Sequence, residues 1–203
     1  MLFLRNLGLV CMVSLLFGVT AAQADCTAKA GNEVGNCGFE DPLGSTWTLA
    51  GSTISRNTSV QRSGAASLEI DGSFVVDVIP ASGGATSACF TLTADGSYGR
   101  GGFVRLADPR PMGATDVSCT VTLVRWSMPG CTGSATQIPG NSAIATTSGW
   151  EPIVNTTVEA ATSAEIQVFC TSLSPSADFT IYVDDVFAGP SLLPVELQSF
   201  EVN

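Results

Sequence analysis

Two adjacent carboxylates, Asp184 and Asp185, interrupt the apolar, β-forming run IYVDDVFAG at 181–189. In an extended strand successive side chains alternate, which places Asp184 with Tyr182 and Val186 and Asp185 with Ile181, Val183 and Phe187. The two therefore cannot form a catalytic pair with each other. At least one must turn toward the interior or a sheet end, where a carboxylate needs a partner. The chain contains no histidine, so Ser-His-Asp and Cys-His nucleophiles, zinc-protease helices and histidine general bases are excluded within a single chain. Carboxylates, tyrosine and the lysine Lys29 are what remains for catalysis. A glycosidase needs two acids facing each other across a sugar cleft, and no pair stands out among the 18 acidic residues. The expectation is a protein that is not an enzyme.

The elements that must position these groups follow from the rest of the 203 residues. Residues 1–24 carry Arg5, an apolar stretch from Leu7 to Val19 and the small-residue triplet Ala22-Gln23-Ala24, the pattern of a cleavable secretory signal with cleavage after Ala24. Without Arg5 the mature chain has 7 basic and 18 acidic residues, a net charge of 7 − 18 = −11, which argues against nucleic acids and anionic membrane surfaces as partners. No second apolar run could span a bilayer. Seven cysteines become six once Cys11 leaves with the signal. An even set in an exported chain implies disulfides, and the absence of any Cys-x-x-Cys pair or histidine argues against zinc. Secretion, extracellular or periplasmic, is expected.

Short β-branched and aromatic runs recur between Gly, Ser, Pro, Asn and Asp clusters. They are SLEID (67–71), FVVDVI (74–79), ACFTL (88–92), GGFVRLA (101–107), DVSCTVTLVRW (116–126), WEPIVNTTVE (150–159), AEIQVFC (164–170), DFTIYVDDVF (178–187) and PVELQSFEV (194–202). The spacing predicts an all-β sandwich over 25–193, with 194–203 as an edge strand or tail. In 119–126 the alternation puts Val121 and Leu123 on one face and Thr120, Thr122, Val124 and Trp126 on the other. ADPRPMGAT (107–115) and MPGCTGSATQIPGN (128–141) read as loops.

The motif order NCGFEDPLGSTW (36–47), SGAASLEI (63–70), ACFTLTADGSYGRGGFVR (88–105), VTLVRW (121–126), SGW (148–150) and FTIYVDDVF (179–187) resembles the jelly-roll carbohydrate-binding modules of bacterial cellulases and xylanases, in the galactose-binding-like superfamily. The resemblance spans roughly residues 34–188. It implies a two-sheet antiparallel jelly-roll sandwich and a structural calcium ion held near both chain ends. Glu40, Asp184 and Asp185 would supply carboxylates, with carbonyls from the Gly64–Ser67 region, Ser67 included. The alternative is that one aspartate caps backbone amides in the Glu40 loop without metal.

Within that resemblance the disulfides follow. Related sequences pair the positions of Cys89 and Cys131, and in this topology Cys119 and Cys170 share a sheet end. Cys119 with Cys131 is disfavoured, because a hairpin at Pro129-Gly130 leaves them roughly 27 Å apart along the strands. Cys26 with Cys37 rests on proximity.

Modules of this kind bind sugars by stacking ring faces on aromatic side chains and hydrogen-bonding hydroxyls to polar neighbours. The resemblance implies that Trp47 and Trp150 are core, and Tyr98 and Tyr182 lie at or within core strands. Trp126, at a strand end beside a loop, is the candidate ligand residue, with Arg125 and Arg105 as hydrogen-bonding partners. The functional expectation is a secreted protein that binds a neutral or basic glycan. The alternative is a structural or adhesive surface protein that uses the fold without sugar binding.

Overall fold

The computed structural model describes residue 26 and residues 31–49, 53–75, 78–92, 96–108, 116–159, 162–173 and 178–190. The expected leader 1–24, Lys29 and the segment 194–203 lie outside the described residues.

The strands are β1 (Trp47–Leu49), β2 (Thr53–Asn57), β3 (Ser67–Val75), β4 (Val78–Ser87), β5 (Phe90–Thr91) and β6 (Gly96–Leu106). They continue as β7 (Val117–Met128), β8 (Thr132–Ile138), β9 (Ser142–Ala145), β10 (Glu151–Glu159), β11 (Ser163–Ser172) and β12 (Phe179–Pro190). All pairings are antiparallel. One sheet runs β2-β3-β12-β6-β10, and the other runs β1-β4-β11-β7 with β8 and β9 on the far side of β7. The end of β3 also pairs with β4, so one strand serves both sheets at a corner. This is the two-layer sandwich that the spacing of the runs predicts.

Alternation explains why the layers close. Leu68 and Ile70 on β3, Val104 and Leu106 on β6, and Ile181 and Val183 on β12 are fully buried and face Val117, Val121, Leu123, Ile166 and Val168 of the other sheet. Trp47 and Phe39 close one edge with ring centroids 5.1 Å apart, and the indole N–H donates to Asn36 O at 3.2 Å. Tyr98 is buried in the same core. Trp150, expected in the core, is only half-buried; Tyr182 lies within strand β12 as expected, half-buried on the outer face of its sheet between Glu69 and Arg105.

Three disulfides add covalent ties, joining Cys26–Cys37, Cys89–Cys131 and Cys119–Cys170. Cys119 and Cys170 stand directly opposite each other on β7 and β11. Cys89–Cys131 draws the β7–β8 turn onto β11, where Cys131 N donates to Ser163 Oγ at 3.0 Å and Ser163 Oγ donates to Met128 O at 2.8 Å.

Two expectations about elements are corrected. FVVDVI is not one strand: β3 ends at Val75, β4 begins at Val78, and these two residues face each other in the ladder. The segment 132–138, read as loop, is the edge strand β8, paired with β7 through a turn in which Gly130 and Cys131 take φ +70° and +53°.

Candidate functional site

The alternation of β7 and β11 gives their sheet an outer face. Opposite-strand pairs put Trp126 beside Ser163, Val124 beside Glu165, Thr122 beside Gln167 and Thr120 beside Phe169 on that face. Gln167 in turn stands opposite Thr86 of β4, and Thr86 opposite Thr48 of β1. The inward partners are Leu123, Val121 and Cys119 with Ile166, Val168 and Cys170, all buried.

The polar groups of this face hold one another. Trp126 Nε1 donates to Glu165 Oε2 at 3.3 Å, which fixes the indole, and the residue is half-buried. Gln167 Nε2 donates to Thr86 Oγ1 at 3.4 Å. Phe169 is 38% exposed. From Ser163, beside the indole, to Phe169 the strand advances six residues, roughly 20 Å. An oriented indole, a carboxylate, an amide and hydroxyls along a strip of that length can stack sugar rings and hydrogen-bond their hydroxyls.

The three residues expected to share a ligand are not brought together. Trp126 lies on this outer face, while Arg125, opposite Ala164, points to the other side of the same sheet because neighbours on a strand alternate. Arg105 belongs to β6 in the other sheet, where its Nη2 donates to Thr147 O at 3.4 Å. Glu165, Gln167, Thr86 and Phe169 were missed. The alternation of AEIQVFC already separates Glu165, Gln167 and Phe169 from Ile166 and Val168; what it lacks is the register that sets them beside Trp126.

The carboxylates at the chain ends form a second cluster. β12 carries a bulge: Asp184 faces Phe103 and Phe187 faces Gly101, so two residues of β12 span one of β6. Asp185 takes φ +48°, and the simple alternation expected across it is broken, with Val186 and Ala188 turned into the core. Asp184 is fully buried. Its Oδ2 accepts from the amides of Arg62 and Ser63 at 2.8 and 3.1 Å, and its Oδ1 from the amide of Asp185 at 2.8 Å. Burial first, then the adjacent Asp185, push its pKa up to about 7 against the pull of those amides. Asp185 Oδ1 accepts from Ser63 Oγ at 2.7 Å, and Oδ2 pairs with Arg62 Nη1 at 2.6 Å.

Glu40 accepts from the amide of Ala65 with both oxygens, at 2.9 and 3.0 Å. Gly64 takes φ +62°, and a Cβ there would collide with the Glu40 carboxylate. Ser67 Oγ donates to Val60 O at 2.5 Å.

The expected calcium ligands Glu40, Asp184, Asp185 and Ser67 do not fit a calcium ion in this arrangement. A hard cation is bound by convergent oxygens, including carbonyls. Here the 62–65 loop turns N–H groups toward the carboxylates, and a guanidinium already contacts Asp185. Among the described residues, no three acidic or cysteine side chains gather closely enough to hold a metal. Asp184 does cap backbone amides, but those of Arg62 and Ser63 and not those of the Glu40 loop expected for a metal-free arrangement.

No family model matches the chain, and no curated protein matches it significantly. Solved structures do. The CBM22-1 xylan-binding domain from Paenibacillus barcinonensis Xyn10C aligns at TM-score 0.54 with 16% identity, covering 79% of this chain and 96% of that one. The C-terminal family 22 carbohydrate-binding module of Clostridium thermocellum Xyn10B aligns at 0.56 with 14% identity, covering 81% and 98%. The fold is that of the β-sandwich carbohydrate-binding modules. TmCBM61, solved with β-1,4-galactotriose, aligns at 0.51 with 14% identity, covering 77% and 97%. This carbohydrate-binding-module fold covers nearly the whole length of each of these three modules.

Proposed function

We propose that this chain is a non-catalytic glycan-binding module of an exported protein, and that it binds a neutral or basic glycan on the outer face of the β11–β7 sheet. The observation that carries the reading is Trp126, a half-buried indole held by Glu165 beside amide and hydroxyl groups. A net charge of −10 over the full chain repels acidic polysaccharides. The xylan and galactotriose named for the structural neighbours make neutral β-linked chains the first ligands to test. Export agrees with three disulfides and the leader pattern.

Asp184, whose pKa is pushed up to about 7, is fully buried and accepts from the amides of Arg62 and Ser63, which supports a structural role for this carboxylate. Isothermal titration with xylan and galactan oligosaccharides tests the reading: binding is expected, and Trp126→Ala should weaken it roughly tenfold or more. Unchanged affinity in that variant would place the ligand elsewhere.

A structural or adhesive role is the second reading, favoured by Ile144 and Phe169, which are apolar and exposed on the same face. It predicts concentration-dependent self-association and no binding to any glycan.

A further inference from the structure

We propose that Arg62 closes the sandwich in the place where a divalent cation would otherwise join the chain ends, so that fold and ligand binding are independent of calcium. Arg62 uses two parts of itself. Its backbone amide donates to Asp184 and its guanidinium pairs with Asp185, so one residue holds both members of the aspartate pair. The guanidinium also lies over the Phe103 ring, 3.5 Å from the centroid. Phe103 is the residue of β6 directly opposite Asp184.

The charge therefore sits at the bulge, between β12 and the 58–66 connection of β2 to β3. The side chains of Arg62 and Asp185 are only 21% and 11% exposed, so the pair is shielded from competing ions and from salt. The N-terminal segment is held separately, to β12 at the bulge and to β2. Val186 N donates to Cys37 O at 3.0 Å, and Arg56 donates to Phe39 O and Glu40 O at 2.7 and 2.8 Å.

A divalent cation bound between these groups would meet inward-pointing amide hydrogens at Asp184 and a fixed positive charge at Asp185 Oδ2. Both interactions are repulsive. Binding one would require the 62–65 loop to rotate its peptides and Arg62 to leave Phe103. The same three roles of joining the chain ends, neutralising Asp185 and ordering the 62–65 loop are already filled by protein groups.

Thermal unfolding of the mature chain in EDTA and in millimolar calcium tests this. The wild type should show the same midpoint in both. Arg62→Met, an uncharged side chain of similar length, should lower the midpoint by roughly 5–10 °C in either solution. A midpoint that falls in EDTA, or rises with calcium in the wild type, would overturn the proposal. So would an Arg62→Met midpoint unchanged from wild type. The wild-type arm needs no variant to fold, and xylan titration in EDTA separates this claim from the glycan-binding reading on which ligand independence rests.

Discussion

Asp184 is where burial and chemistry pull against each other. Its pKa is pushed up to about 7 while an unfolded aspartate ionises near 3.8, so between these values the folded state holds a proton that the unfolded state has released. Stability from this group is greatest below about pH 4 and falls as pH rises toward 7. Urea unfolding should therefore give a larger contribution at pH 5 than at pH 8, and Asp184→Asn should flatten that part of the profile; an identical profile in the variant would refute the assignment. The sequence made the aspartates conspicuous and made a tie to the Glu40 end of the chain plausible. It could not show which group supplies the opposing charge. Arg62 lies in an unremarkable polar stretch, and its contact with Asp185 depends on the path of the β2–β3 connection.

Strands with ordinary β-forming patterns were legible, and the strand built of small residues was not. β4 reads VIPASGGATS, a composition suggesting a loop, yet Ala81 and Ala85 are fully buried and the strand lies between β1 and β11. A Cβ on Gly84 would meet Val168 O at 2.5 Å and the Phe169 ring at 3.1 Å, so tertiary packing selects the residues that propensity disfavours. Gly84→Ala should cost about 1–3 kcal/mol in chemical denaturation. The β7–β8 hairpin carries a prediction of its own. Cys89–Cys131 closes 42 residues of chain, and replacing both cysteines by alanine should cost about 4 kcal/mol. Because that bridge and Ser163 hold the turn next to Trp126, the same variant should also weaken glycan binding, measurable by titration at a temperature where it remains folded.

Across the molecule, the two sheets divide the work. The β12 sheet carries the chain-end closure, with Arg62 laid over Phe103 and the 62–65 loop bonded to Glu40 and Asp184. The β11–β7 sheet has an outer face on which Trp126, Glu165, Gln167 and Phe169 are accessible to solvent while Ser163, Thr122 and Val124 are buried beneath their neighbours. Sequence order was enough for the sandwich, because each run alternates by itself. Sorting candidate ligand residues by face needed inter-strand register, which is why Arg105 and Trp126 seemed neighbours and lie on different sheets. The central claim is that the outer face of the β11–β7 sheet receives a glycan. The most direct test follows the three indole N–H signals by NMR as xylohexaose is added to residues 25–203. The account predicts a saturable shift of the Trp126 signal while that of Trp47, buried against Phe39, stays in place. A Trp126 signal that does not move while xylohexaose binds would contradict it.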